Sequence, residues 1–226
     1  MGVIRSITIL GLALMNGLLV FGQDSLNLSI KNLPDLPPAP GQSKSIGFAG
    51  MLGGVNDGVL IASGGANFPE MLPWEGGQKN WSQAIYYLKD NQWQLSNTTL
   101  PFPLAYGASV SLPDGILCIG GNNAERTSKD VFMLDYDPVT SNIDIVDYPD
   151  LPQPLSNMAA VLDGDYVYVI GGINEGKSTN SFYRLNLKTK TAWERLPNFP
   201  GPPRALHTAV VQEASEAKIA TIYPII

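Results

Sequence analysis

The sequence is poor in the residues that build redox centres and covalent scaffolds. It holds one cysteine, Cys118, and one histidine, His207. A single thiol excludes a disulfide framework and any multi-cysteine metal site. A single imidazole excludes histidine-rich zinc, copper and iron centres, so no resident metal is expected. Charge is also scarce, at 15% of residues, and Lys+Arg 14 against Asp+Glu 20 gives a formal net charge of -6. A chain without a basic excess is not expected to bind nucleic acid. After Phe21 no run is long and apolar enough to span a membrane.

Glycine and proline are plentiful instead. Gly 23 and Pro 18 among 226 residues exceed the combined share of about 12% in ordinary proteins. Many tight turns between many short strands follow from that excess. Hydrophobic residues, at 44%, suffice for a core and argue against disorder.

Residues 1–22 have the three-part layout of a secretory signal peptide. Arg5 precedes an apolar run from Ile7 to Phe21, broken only by Thr8 and Asn16, and Val20 and Gly22 stand where a signal peptidase reads. The run is short for a span of about 20 residues, and no cysteine follows it to carry a lipid anchor. Cleavage near Gly22–Gln23 predicts a periplasmic or secreted chain with no membrane span.

The remainder repeats. Three apolar runs close on a double glycine: Val59–Gly65, Ile116–Gly121 and Tyr166–Gly172. An Asp-Gly turn precedes each: Asp57-Gly58, Asp114-Gly115 and Asp163-Gly164. Before the turns lie small-residue strands expected at Gly47–Gly50, Tyr106–Val110 and Met158–Val161. A variable loop follows each double glycine and leads to aromatic strands expected at Ala84–Leu88, Val131–Tyr136 and Phe182–Leu187. Fourth strands are expected at Gln92–Leu95, Ile143–Val146 and Ala192–Leu196. Four strands in about 50 residues, with Gly-Gly and a later Trp, resemble a kelch repeat. The expected fold is all-β, a kelch-type β-propeller in which radial four-stranded blades cover one another's faces. Trp93 and Trp193 are expected to pack between blades, with Ile143 or Ile145 in the middle unit. Cys118, in an apolar strand, is expected in the core.

Blades account for residues 43–226. Within 23–42, Leu26–Pro34 reads as a lone strand that closes a last blade. A fourth unit begins at Arg204–Val211, but the next double glycine, expected near position 223, is replaced by Tyr223. The sequence therefore predicts an incomplete ring of about three and a half blades. It reads either as a truncated or frameshifted version of a longer protein or as a half-ring that pairs with another chain. Open apolar blade faces predict self-association.

Several segments carry a closer resemblance. Ile46–Gly50, Val59–Pro69, Gly76–Lys79 with Ile85-Tyr86, Leu104–Val110, Ile119–Gly121 with Asp130-Val131, and Arg204 after Gly201-Pro-Pro203 resemble the N-acetylneuraminate (sialic acid) epimerase or mutarotase family. The blade order looks circularly permuted. This resemblance implies an exported enzyme that interconverts the α and β anomers of a small-molecule sugar acid without a cofactor. It also implies that the family's Glu-containing loop belongs to a blade after Gln212, beyond the matching segments.

Anomer exchange needs one group to take the anomeric hydroxyl proton and another to protonate the ring oxygen, and a sugar carboxylate favours an arginine partner. In the loop Asn122–Arg126, Glu125 is a candidate proton-transfer residue and Arg126 a carboxylate clamp; both also fit a solvated ion pair. Arg204 and His207 open an innermost strand, Arg204 as a substrate contact and His207 as a second proton-transfer candidate or a packed histidine. In the long loop Ala66–Gln83, Asn67 and Lys79 lie in family-like motifs and Trp81 offers a stacking face; Trp74 and Trp81 also suit packing of the loop. A non-catalytic kelch module holding a glycan or protein, and an inactive fragment, remain open as alternatives. Galactose-oxidase-like copper chemistry is excluded by the single histidine, and no sialidase Asp-box occurs.

Overall fold

Antiparallel meanders build the molecule, each strand ended by a turn that the sequence dictates. The computed structural model describes residues 30–38, 42–212 and 223–225. The signal peptide expected over 1–22 lies outside them. The chain divides into Met1–Leu33 and Pro34–Ile226, and the blades belong to the second unit.

The first blade has β1 (Leu52–Asn56), β2 (Val59–Ser63), a short ribbon of β3 (Ala66–Asn67) and β4 (Asn80–Trp81), then β5 (Ile85–Lys89) and β6 (Gln92–Leu95). Its sheet runs β1-β2-β5-β6. The second is β7 (Ala108–Leu112), β8 (Gly115–Asn122), β9 (Thr127–Asp137) and β10 (Asn142–Tyr148), paired in chain order. The third has β11 (Ala159–Asp163), β12 (Tyr166–Ile170), the ribbon β13 (Ile173–Asn174) and β14 (Lys177–Ser178), then β15 (Phe182–Asn186) and β16 (Trp193–Leu196). Its sheet repeats the first, β11-β12-β15-β16. Beyond it, β17 (Thr208–Val210) pairs with β18 (Tyr223–Ile225). The inner strands β1, β7, β11 and β17 are neighbours in that order, as radial blades require. The only helical piece among the described residues is a single 3-10 turn, Pro73–Glu75.

The four-strand units stand where the repeats predicted them, with one correction. The inner strand of the first blade is Leu52–Asn56, not Gly47–Gly50, because Gly47 and Gly50 have φ of +72° and +67°. Left-handed backbone breaks a strand. For the same reason the next two inner strands start at Ala108 and Ala159, just past Tyr106 (φ +60°) and Asn157 (φ +53°). The strand expected over Leu26–Pro34 has its first residues, 26–29, outside the described part, and 30–38 form no strand.

Period-2 alternation explains how the middle blade can be apolar throughout. On β8, Ile116 and Cys118 face the first blade, where they join Leu52, Ile61 and Ile85 in one buried cluster. The intervening Leu117 and Ile119 face the third blade and join Val167, Val169 and Leu185. A sheet buried on both faces reads as a continuous apolar run. Cys118 is fully buried, and burial pushes its thiol pKa upward, so it is a core residue and an unreactive one. Trp193 is buried and donates its indole N–H to the Pro149 carbonyl at 2.8 Å. Trp93 makes the same bond to Pro34 at 2.9 Å; both prolines open a Pro-Asp-Leu-Pro run. In the middle blade Ile143 is buried, as the repeat alignment anticipated.

The double glycines fasten blade to blade. Gly121 N–H donates to the Leu155 carbonyl at 2.8 Å, and Gly65 and Gly172 donate equivalently to Leu104 and Arg204 at 2.8 and 2.9 Å. Gly120, at φ +54°, has no room for a side chain: a Cβ there overlaps the Leu155 carbonyl oxygen and lies 2.6 Å from Met158 Cε. Only glycine meets both the left-handed backbone and the close approach.

Candidate functional site

One residue per blade organises the axis. Gly50, Tyr106, Asn157 and Leu206 occupy equivalent places, each two residues before an inner strand, and all have positive φ. They form a ladder. Tyr106 N–H donates to the Gly50 carbonyl at 2.8 Å, Asn157 N–H to Tyr106 at 2.7 Å, and Leu206 N–H to Asn157 at 3.0 Å. The Tyr106, Asn157 and Leu206 side chains therefore line one mouth of the axis.

The double glycines also turn the hairpin tips toward that mouth. Beyond Gly121, Asn122 pairs with Ala105; beyond Gly65, Ala66 pairs with Ala49; beyond Gly172, Ile173 pairs with Ser156. The first blade has the longest excursion, 68–79, which ends in the β3–β4 ribbon pairing Asn67 with Asn80 and Ala66 with Trp81. That ribbon delivers Lys79 and Trp81 to the axis.

The mouth holds a cavity of about 340 Å³ lined by Lys79, Trp81, Tyr106, Asn122, Asn123 and Asn157, with Leu206 at its edge. The Lys79 ammonium stands 5.0 Å from the Tyr106 ring centre, 5.4 Å from Trp81 and 5.7 Å from Phe68. Three rings within about 6 Å make a cation–π box. Lys79 Nζ also donates to the Tyr106 hydroxyl at 3.3 Å. Lys79 takes no part in any ion pair among the described residues. Trp81 Nε1 and Asn122 Oδ1 are buried and make no hydrogen bond within the described structure. The site thus combines one cation, aromatic faces, and carboxamide and indole groups able to donate and accept. Among the described residues no cluster of His, Cys, Asp and Glu has the arrangement of a metal site.

The other residues singled out from sequence lie elsewhere. Asn67 borders a separate cleft of about 360 Å³ on the other side of Trp81, with its amide donating to the Gly47 carbonyl at 3.0 Å. Glu125 is exposed, with its backbone N–H on Asn123 Oδ1. Arg126 pairs with Asp130 at 2.9 Å and lies over the Phe102 ring at 4.5 Å. Arg204 lies over Phe199 at 5.3 Å, and its Nε donates to the Pro202 carbonyl at 3.4 Å. The structure brings Lys79 and Trp81 together but joins neither to Glu125, Arg126, Arg204 or His207. Tyr106, Asn122 and Asn157 are the site residues that sequence reasoning passed over. Their common signal is position relative to the double glycines and inner strands, visible once the repeats are aligned.

His207 packs on Gly171 as Met158 packs on Gly120. Burial, and secondarily the Arg204 charge, hold its pKa below the ordinary imidazole value. On acidification the unfolded chain takes up this proton before the folded chain does. His207 therefore costs stability as pH falls below about 6.5 and costs none at neutral pH. His207→Met is expected to flatten the loss of urea midpoint between neutral and mildly acidic buffer; an unchanged loss would show that His207 is not its source.

Comparison with known proteins places this geometry. The N-acetylneuraminate epimerase family profile matches residues 18–143, and a kelch motif matches 154–200. Proteins named N-acetylneuraminate epimerase from Salmonella enteritidis and Yersinia enterocolitica are each 39% identical, over 99 and 101 residues. Those stretches cover 40% and 41% of this chain and 26% of each relative, so the match spans about a quarter of the relatives' length. The solved structure of YjhT has a similar fold, with TM-score 0.57 and 16% identity over 72% of this chain and 56% of YjhT. A family profile that covers more than half the sequence, on blades of the kelch type, makes this chain a member of the N-acetylneuraminate epimerase family.

Proposed function

We propose that the axial mouth binds N-acetylneuraminate or a close sugar acid and speeds interconversion of its anomers, in an exported protein. The observation that carries this reading is the Lys79 ammonium, boxed by Phe68, Trp81 and Tyr106 and free of carboxylate partners among the described residues. A sugar acid matches each part of the site. Its carboxylate meets the ammonium, its C–H faces meet the rings, and its hydroxyl and acetamido groups meet Asn122, Asn157 and the Trp81 indole N–H. Such convergence of a few polar groups on an apolar wall is how small-molecule sites gain orientation.

Anomer exchange is measured by following the relaxation of one anomer of N-acetylneuraminate to the equilibrium mixture by proton NMR, with and without the chain. Acceleration proportional to chain concentration is expected. Binding without acceleration would favour the alternative of a non-catalytic sugar-binding module, a reading helped by the lack of a carboxylate among the described residues that line the mouth. The absence of both binding and acceleration would remove the sugar-acid reading. Lys79 is exposed, so Lys79→Met is expected to forfeit the lower end of a charged hydrogen bond, about 1.5 kcal/mol or roughly tenfold in affinity. Raised salt should weaken the wild type but not the variant. Equal affinities would take Lys79 out of the site. For export, N-terminal sequencing of the mature chain is expected to start at Gln23, and a retained Met1 would refute cleavage.

A further inference from the structure

Tyr106 combines four features of backbone, packing and hydrogen bonding. It is a bulky aromatic residue at φ +60°, a backbone state rare for such side chains and concentrated at functional sites. Its main chain is held there from both sides, by its N–H on Gly50 and its carbonyl on Asn157. Its ring lies against Gly50, where a Cβ would come within 2.8 Å of Tyr106 Cε1. The empty face of Gly50 is thus the seat of the ring. Finally, its hydroxyl accepts from Lys79 and leaves its own O–H hydrogen to be directed into the cavity that both residues line.

From this juxtaposition, and resting on the sugar-acid reading above, we infer that Tyr106 is a catalytic residue, the general acid that protonates the ring oxygen of the bound sugar. As the ring opens, the bond between anomeric carbon and ring oxygen breaks and its electron pair goes to the ring oxygen, which takes the phenol proton. The anomeric hydroxyl loses its proton to a solvent water, and its O–H electron pair completes the new carbonyl. The phenolate left on Tyr106 faces the Lys79 ammonium, and the proton held by water returns to it. Rotation about the bond to the carbonyl carbon and closure on the opposite face reverse both transfers and give the other anomer. No oxidant, reductant or metal enters the balance. The lysine has a double task, to hold the sugar carboxylate and to stabilise the phenolate.

The test is the anomer-exchange assay with Tyr106→Phe, which keeps the ring on Gly50 and removes one oxygen. The expected result is a loss of about 100-fold in the accelerated rate, in the range of a general acid, with affinity for N-acetylneuraminate within about twofold. A rate equal to wild type overturns the assignment, and so does a loss confined to affinity. If wild type itself gives no acceleration, the anomer-exchange reading falls and this assignment with it; acceleration in wild type retained by Tyr106→Phe removes the assignment alone. 3-Fluorotyrosine at position 106 gives a nearly isosteric second measurement that does not depend on Tyr106→Phe folding. It makes the phenol more acidic and is expected to move the alkaline limb of the pH–rate profile to lower pH. An unmoved limb overturns the proposal.

Discussion

Gly120→Ala is expected to lower unfolding free energy by about 3–5 kcal/mol, the sum of a strained left-handed residue and an overpacked core contact. The methyl group would meet the Leu155 carbonyl and Met158 across the junction of the second and third blades. Neither can retreat easily. The carbonyl is bonded to Gly121 N–H, and Met158 is buried in the cluster between the blades. Gly164→Ala is the internal control, because Gly164 shares the left-handed backbone (φ +54°) but has nothing within 4 Å of a Cβ. It should cost only the backbone strain, about 1 kcal/mol. Equal losses in the two variants, read from denaturant melts, would mean that close approach between blades is not what the double glycine provides.

Ile116→Ala and Leu117→Ala are expected to cost about 2–5 kcal/mol each. Both side chains are fully buried, yet they are sequence neighbours on one strand and so point to opposite faces. Ile116 packs between the first and second blades, Leu117 between the second and third. In a sheet with one wet face, one of the two substitutions would be nearly free. Because the two clusters share no member, the double variant should lose close to the sum of the two. A cost below about 1 kcal/mol for either would show an uncovered face on the middle blade.

The parts of this fold that were legible in the sequence are those fixed by local rules. The double glycines, Asp-Gly turns and paired apolar runs located three blades because each records a backbone constraint that few residues satisfy. The slip came in the first blade, where Gly47–Gly50 resembles a small-residue strand although its glycines mark left-handed turns and Leu52 opens the strand. Lys79 was singled out because it lies in a family-like motif and Trp81 because the long loop offers its face for stacking, and both line the mouth. Tyr106 was not singled out, because its meaning depends on Gly50 beneath it and Lys79 beside it, residues far apart in the chain and joined only by the docking of one blade on the next. Glu125 and Arg126 drew attention as a proton-transfer residue and a carboxylate clamp; Glu125 is exposed, and Arg126 closes on Asp130.

The ladder through Gly50, Tyr106, Asn157 and Leu206 separates the placement of the mouth's side chains from their identity. Carbonyl and amide set the spacing between blades whatever side chain each position carries, so the chemistry of this face is a short word whose letters can change while the page stays still. The alphabet is restricted by the left-handed backbone, which asparagine and glycine accept with least strain and which leucine and tyrosine occupy at a cost. Side chains of different shape can therefore be set at the mouth by respelling these positions, without rebuilding a blade.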